Sequence, residues 1–273
     1  MSTFSVPTLA DMIAQGQTPE VLFWVGCAGS FDDRAKRITK AIARILHHCE
    51  VPFAVLGAEE SCTGDPAKRA GNEFLFQMQA AQNIAVLNGY EVKRIVTGCP
   101  HCFNVLKNEY PELGGNYEVM HHTQFIRDLI DQGRLKVADG NPFKGRRITF
   151  HAPCYLGRGN GEYAAPREVL STLDAELVEM RRCKQNGLCC GAGGAQMFKE
   201  AEKGNREVNH ERTDDVLDAN PQVLATGCPF CNTMMTDGVK NAERESSIDV
   251  KDIAELIAEA ADLVPSSTSQ DTP

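Results

Sequence analysis

Thr97-Gly98-Cys99-Pro100-His101-Cys102 returns, with one change, as Thr226-Gly227-Cys228-Pro229-Phe230-Cys231. A strand-like run leads into each copy, Arg94-Ile95-Val96 into the first and Gln222-Val223-Leu224-Ala225 into the second. The repeat continues outward from these phrases. Leu22-Phe23-Trp24-Val25-Gly26-Cys27 answers Ile148-Thr149-Phe150-His151-Ala152-Pro153-Cys154, each a short β-rich run that ends at a cysteine. The offset is 127 residues at these cysteines and 129 at the C-P-x-C pairs, so the second copy holds a two-residue insertion. Apolar residues at helical spacing fill the gaps: 34–48 (Ile38, Ile42, Ile45, Leu46), 72–87 (Phe74, Leu75, Met78, Ile84) and the shorter 167–173. Each copy closes on an amphipathic stretch, 123–134 (Phe125, Ile126, Leu129, Ile130) and 250–263 (Ile253, Leu256, Ile257). Strands that alternate with helices predict βαβ units and parallel sheets. The expected fold is α/β, with two similar lobes of βαβ units and small parallel sheets, related by internal duplication. The turn-forming cluster Asp139-Gly140-Asn141-Pro142 marks the seam. It divides the chain into an N-terminal segment (1–19), a first domain (20–140), a second domain (141–264) and a polar, disordered tail (265–273).

The repeat carries nine of the eleven cysteines. The first set is Cys27, Cys62, Cys99 and Cys102; the second is Cys154, Cys189, Cys190, Cys228 and Cys231. In both sets 34 residues separate the first two members. A lone C-P-x-C after a strand reads as a redox pair. Two copies, each with upstream partners at matched spacing, read instead as two soft-metal sites, iron–sulfur foremost. Proline suits the first turn of a helix, where its missing N–H would have no partner. The free amides and positive dipole end of that helix then face the thiolates. Zinc also fits four thiols, so it stays open for the first set. Tetrahedral zinc needs neither a fifth thiol nor the adjacent pair Cys189-Cys190, which argues against it in the second. Cys49, at the end of an amphipathic helix, reads as a core thiol, and Cys183 carries no assigned role. His101 and His151 stand where they could hydrogen-bond a cluster, whereas His121-His122 is expected at the surface beside a strand end. Gly191-Ala192-Gly193-Gly194 lacks the order of a phosphate loop and reads as packing around Cys189-Cys190.

An odd cysteine count does not suit a disulfide framework, and clustered reduced thiols fit the cytoplasm. The net charge of −9 with no basic stripe excludes a nucleic-acid partner. No apolar run reaches the roughly 18 residues of a membrane span, and Met1–Thr18 has no signal-peptide pattern.

The phrase Leu188-Cys189-Cys190-Gly191 with its partners resembles the cysteine-rich "CCG" domain of heterodisulfide reductase B-type subunits. That domain also occurs in iron–sulfur subunits of glycolate, lactate and glycerol-3-phosphate oxidoreductases. Glu60-Ser61-Cys62-Thr63-Gly64-Asp65-Pro66 and His151-Ala152-Pro153-Cys154-Tyr155-Leu156-Gly157-Arg158 are most similar to the C-terminal half of membrane iron–sulfur oxidoreductases linked to electron-transfer flavoprotein. The resemblance covers roughly residues 20–260. It implies that Cys154, Cys189, Cys190, Cys228 and Cys231 hold a noncubane four-iron cluster. In the first domain Thr63 falls where the pattern has a cysteine, so Cys27, Cys62, Cys99 and Cys102 are left for a cubane four-iron cluster or zinc. The implied function is a soluble electron-transfer subunit working between a ferredoxin- or flavoprotein-type partner and a quinone-linked membrane partner. The implied partners are a ferredoxin-domain or membrane-bound iron–sulfur subunit and electron-transfer flavoprotein. The implied location is the cytoplasm, peripheral to the membrane through a partner. Reduction of a disulfide at the second cluster, and a non-catalytic assembly module with a structural zinc, are the two alternatives.

Overall fold

Val21 and Phe23 turn to one side of the first strand, and Leu22 and Trp24 to the other; all four are buried. A strand buried on both faces belongs inside an α/β sandwich, and the computed structural model, which describes residues 5–200 and 203–264, is built that way. The first lobe runs α1 (Leu9–Ala14), β1 (Val21–Trp24), α2 (Gly26–Phe31), α3 (Asp33–His48), β2 (Phe53–Ala54), α4 (Asp65–Arg69), α5 (Glu73–Gly89), β3 (Arg94–Thr97), α6 (Pro100–Asn104), β4 (Glu118–His121) and α7 (His122–Asp131). The second runs β5 (Arg147–Phe150), α8 (Gly157–Asn160), α9 (Ala164–Ser171), β6 (Glu176–Leu177), α10 (Val208–Ala219), β7 (Val223–Thr226), α11 (Pro229–Asn241), β8 (Asp249–Asp252) and α12 (Ile253–Ala260).

Each lobe has a four-stranded parallel sheet, ordered β2-β1-β3-β4 and β6-β5-β7-β8. The strand order is the same in both, as duplication requires. In such sheets the chain leaves β1 and β3, or β5 and β7, in opposite directions, which opens a crevice at their carboxyl ends where ligands bind. Those four ends carry Cys27, Cys99, Cys154 and Cys228.

The lobes share a core. Phe23 and Val96 of the first sheet, Ile148, Phe150, Val223 and Ala225 of the second, and the inner faces of α3, α7, α9 and α12 form one cluster between the sheets. There α3 packs on α12 and α9 on α7, an exchange of partners that follows a pseudo-twofold. Arg34 of α3 clasps Glu255 of α12 with two hydrogen bonds of 2.7 Å. Separate cores cover the outer faces, one on α5 around Trp24, Phe76 and Tyr110, the other on α10 and α11 around Leu224, Val216 and Met235.

Three expectations change. The 72–87 helix forms, but it buries Phe76, Ala80, Ile84 and Leu87, while Phe74, Leu75 and Met78 are exposed. This helix is apolar around much of its circumference, so packing on the sheet selects the stripe. His121 and His122, expected at the surface, are fully buried between the lobes. They end β4 and begin α7 at the pseudo-twofold, where His121 Nε2 lies 3.1 Å from the Gly227 carbonyl and His122 Nε2 lies 3.0 Å from Asp252. The stretch 250–263 also begins as strand β8 before it turns helical. The proposed tail 265–273 lies outside the described residues. No helix among the described residues is long and apolar enough to cross a membrane.

Candidate metal centre

Both C-P-x-C phrases take the geometry their sequence asks for. Cys99 and Cys228 are extended N-caps, and Pro100 and Pro229 open α6 and α11. Asn232 secures the second turn, its amide donating to Thr226 Oγ1 at 3.0 Å. The upstream cysteines sit higher in each crevice. Cys27, Cys62, Cys154 and Cys189 are half-buried, while Cys99, Cys102, Cys190, Cys228 and Cys231 are buried.

The thiols of each set meet. In the first lobe the Cys27 thiol hydrogen-bonds Cys62, which raises the pKa of Cys27 and lowers that of Cys62 to about 7. In the second lobe Cys154 does the same to Cys189, raising its own pKa and depressing that of Cys189. Cys190 Sγ lies 3.3 Å from Cys231 Sγ, and bonding to Cys189 pushes its pKa up to about 12. Thr63 Oγ1 occupies the matching place, 3.8 Å from Cys102 Sγ. The two sets also touch each other: Cys99 hydrogen-bonds Cys102 and, across the lobe interface, Cys228. These two contacts are what depress the pKa of Cys99 despite full burial.

The backbone is shaped to receive negative sulfur. Gly64 N donates to Cys62 Sγ at 3.5 Å, and Gly191 N donates to Cys189 Sγ at 3.3 Å. Both glycines have left-handed φ, +89° and +94°, a conformation that L side chains rarely adopt. Gly191 therefore works as a sulfur donor rather than as packing alone.

Several supporting residues escape notice in the sequence. Glu60 accepts from Val25 N at 3.0 Å and Gly26 N at 2.6 Å, tying the Cys62 loop to the turn that bears Cys27. Burial raises its carboxyl to about 7. Asn83, fully buried on α5, donates to the Cys62 carbonyl and to Tyr110 Oη at 3.0 Å each, and Tyr110 donates to the Thr63 carbonyl. Asn83 does leave a trace, a polar residue in an otherwise apolar stripe. Arg212 leaves none, because α10 reads as a charged surface helix, yet its side chain is buried behind the second site.

The two candidate histidines are held differently. His101 Nδ1 is 2.8 Å from Asp65 Oδ2, and its ring packs against Tyr155 and Phe230 of the other lobe. His151 has a ring nitrogen within 4.8 Å of the sulfurs of Cys190 and Cys231. Cys49 lies in the shared core away from both sites, and Cys183 is half-buried beside Glu179.

Thiols dominate both crevices, with backbone amides aimed at sulfur. That donor set fits thiophilic metal and suits iron–sulfur clusters. Fold and site together define a duplicated α/β protein with a thiol-rich centre at the switch point of each sheet. The chain belongs to the CCG cysteine-rich domain family, which it matches twice, over residues 21–107 and 148–236. It is 45% identical over 251 residues to "EtfAB:quinone oxidoreductase" of Syntrophomonas wolfei, covering 90% of this chain and 35% of that protein. It is 45% identical over 256 residues to "Probable iron-sulfur-binding oxidoreductase FadF" of Bacillus subtilis, covering 93% and 36% respectively. A component of the dihydromethanophenazine:CoB–CoM heterodisulfide reductase of Methanosarcina barkeri is 34% identical over 251 residues, covering 89% and 59%. The chain thus spans about a third of the length of the first two relatives. Among solved structures, glutamate racemase RacE1 of Bacillus anthracis covers 89% of the chain, and the chain 78% of it, at 17% identity and a TM-score of 0.35, a likeness too slight to argue from.

Proposed function

We propose that this chain is an iron–sulfur electron-transfer unit of an oxidoreductase. Its two domains, 20–140 and 141–264, would each hold one centre. Cys154, Cys189, Cys190, Cys228 and Cys231 would hold a noncubane four-iron cluster. Cys27, Cys62, Cys99 and Cys102 would hold a cubane four-iron cluster, with zinc as the competing occupant. The observation that carries the reading is the meeting of the two thiol sets through Cys99 and Cys228. Adjoining centres suit the passage of electrons between them. A bound cluster would take up and release electrons singly, and the chain's own residues would set its charge, seal it from water and hold its loops.

The relatives' names support an oxidoreductase role: one is an EtfAB:quinone oxidoreductase and another an iron–sulfur-binding oxidoreductase. The proposed partners are an electron-transfer flavoprotein or ferredoxin-type donor and a quinone-linked membrane component, docked on the cytoplasmic side. The second reading is disulfide reduction at the five-thiol centre. It is favoured by the similarity to a heterodisulfide reductase component and by the adjacent pair Cys189-Cys190, one half-buried and one buried.

Anaerobic purification with iron, sulfide and zinc analysis tests the first reading, together with spectroscopy of the reduced and oxidised protein. Acid-labile sulfide at both sites and reversible paramagnetic signals are expected. Zinc without sulfide would refute the reading, and turnover of a disulfide to thiols would favour the second.

A further inference from the structure

Three residues before the first cysteine of each set stands a ring that carries nitrogen: Trp24 before Cys27 and His151 before Cys154. Trp24 ends β1, and His151 follows the last residue of β5, so the two hold equivalent places at the crevice mouths. Both are almost wholly inaccessible to solvent, at 0% and 1%.

Trp24 Nε1 is buried with no hydrogen-bond partner among the described residues. An indole nitrogen can only donate. Leaving such a donor buried and unpaired costs about 1–3 kcal/mol, so an acceptor is called for. The side chain packs in the same cluster as Cys99 and Cys102, on the side of the sheet where the first thiol site lies.

His151 reaches the same end by another route. Arg212 Nε donates to His151 Nδ1 at 3.1 Å. A guanidinium has donors and no acceptor, so Nδ1 must offer its lone pair. The neutral ring then carries its hydrogen on Nε2. Arg212 is itself fixed, by the Arg182 carbonyl at 2.7 Å and by Asp215 at 2.9 Å. Cys190 and Cys231 are the sulfurs that His151 faces.

We propose that this repeat position supplies each thiol centre with one buried ring N–H donor to sulfur. Trp24 Nε1 serves the first centre and His151 Nε2 the second, with Arg212 as the positioning residue that fixes the His151 tautomer. His151 is thus a hydrogen-bond donor to its centre and not a metal ligand. The proposal rests on the iron–sulfur reading above. A reduced cluster carries one more negative charge than an oxidised one, so a donor to its sulfur favours reduction and raises the potential.

The test uses the full chain, purified anaerobically with clusters, in three variants: Trp24→Phe, His151→Phe and His151→Gln. Iron and sulfide analysis is paired with a redox titration followed by EPR. Trp24→Phe and His151→Phe should keep their iron and sulfide. Each should shift the midpoint potential of its own centre to more negative values and leave the other unmoved. His151→Gln retains an N–H and should recover most of the shift. In the wild type, pulsed EPR after deuterium exchange and ¹⁵N labelling should show a weakly coupled exchangeable deuteron and weakly coupled Trp and His nitrogens. This measurement stands even if a variant fails to fold. Strong nitrogen coupling at His151, or loss of iron from His151→Phe, would make it a ligand and overturn the proposal. Iron-replete variants with unmoved potentials would overturn it while leaving the iron–sulfur reading intact. A protein without sulfide would overturn both.

Discussion

Thr63 stands where a fifth thiol would complete the first centre. Its hydroxyl faces Cys102 at 3.8 Å as the Cys190 thiol faces Cys231 at 3.3 Å, so at that place one lobe presents a hydroxyl, with a methyl beside it, and the other a thiol. A hydroxyl holds its proton far more tightly than a thiol and is a weak ligand for iron beside thiolates. Four thiolates suit a cubane with one cysteine per iron, and a fifth requires a different cluster. Thr63→Cys should therefore move the absorption and EPR spectra of the first centre towards those of the second, and Cys190→Thr should do the reverse. Unchanged spectra and iron content in both variants would sink the idea. At this scale the sequence was informative where chemistry is exclusive to a residue type. All nine thiols and Thr63 could be picked out by repeat spacing. Glu60, Tyr110 and Arg212 could not, because their work depends on which backbone group or ring the fold brings opposite them, and Asn83 showed only as a polar residue in an apolar stretch.

The helix α5 illustrates what decides an element. Its residues 73–89 are apolar on several sides, and helical periodicity alone gives no unique buried stripe. Contact with the sheet selects Phe76, Ala80, Ile84 and Leu87 and places Asn83 in reach of the Cys62 loop. Phe76→Ala should cost about 3–5 kcal/mol in denaturant unfolding, the usual penalty for emptying a buried aromatic site. Phe74→Ser and Met78→Ser should stay within about 0.5 kcal/mol of wild type, as exposed positions do. Equal losses at all three would restore the stripe expected from periodicity. The turn before α4 is as demanding. A Cβ at Gly64 would lie 2.8 Å from Phe76 Cδ2, on a backbone already at φ +89°. Gly64→Ala should destabilise by roughly 1–3 kcal/mol and lower iron occupancy of the first centre before the second. Strands that lead into cysteines were legible because β-rich runs precede a fixed motif. The two-residue strands β2 and β6 were not, since so short a segment pairs only because the neighbouring strand is already in place.

Across the whole molecule the lobes are joined by a core and by buried polar contacts, and these explain two kinds of fragility. His121 and Asp252 cap α7 and α12 with capping boxes at equivalent positions, and His121 also reaches the Gly227 carbonyl beside the second C-P-x-C. Burial, then the neighbouring His122, lowers the His121 pKa well below its usual value. Above the unfolded-state pKa of about 6.5 both states are neutral there, and its contribution to stability is fully present. Below that pH the unfolded chain takes up a proton that the folded chain resists, so stability falls as pH falls. His121→Asn keeps a capping side chain and should flatten this part of the profile when denaturant midpoints are compared at pH 7.5 and 5.5. Parallel profiles would place the acid sensitivity elsewhere. The second fragility lies between Leu177 and Val208, where the described residues form only two short 3₁₀ turns, Lys184–Asn186 and Gln196–Phe198. Its start is held by protein contacts, Arg167 with Glu179 and Arg182 with Asp215 and Glu211, while between Lys184 and Lys199 the pair Cys189-Cys190 joins contacts such as Arg158 to the Gly187 carbonyl at 2.7 Å and Phe198 against Phe230. If those thiols ligate a cluster, metal binding free energy is folding free energy for the segment. Cluster-free protein should then be cut by trypsin after Lys184 and Lys199 about tenfold faster or more, the effect of ~1.4 kcal/mol of lost local stability. The helical core around α3 and α12 needs no metal and should resist equally in both forms. Equal cleavage rates in the 184–199 segment with and without cluster would show that protein contacts alone hold the loop, and would remove Cys189 and Cys190 from the proposed ligand set.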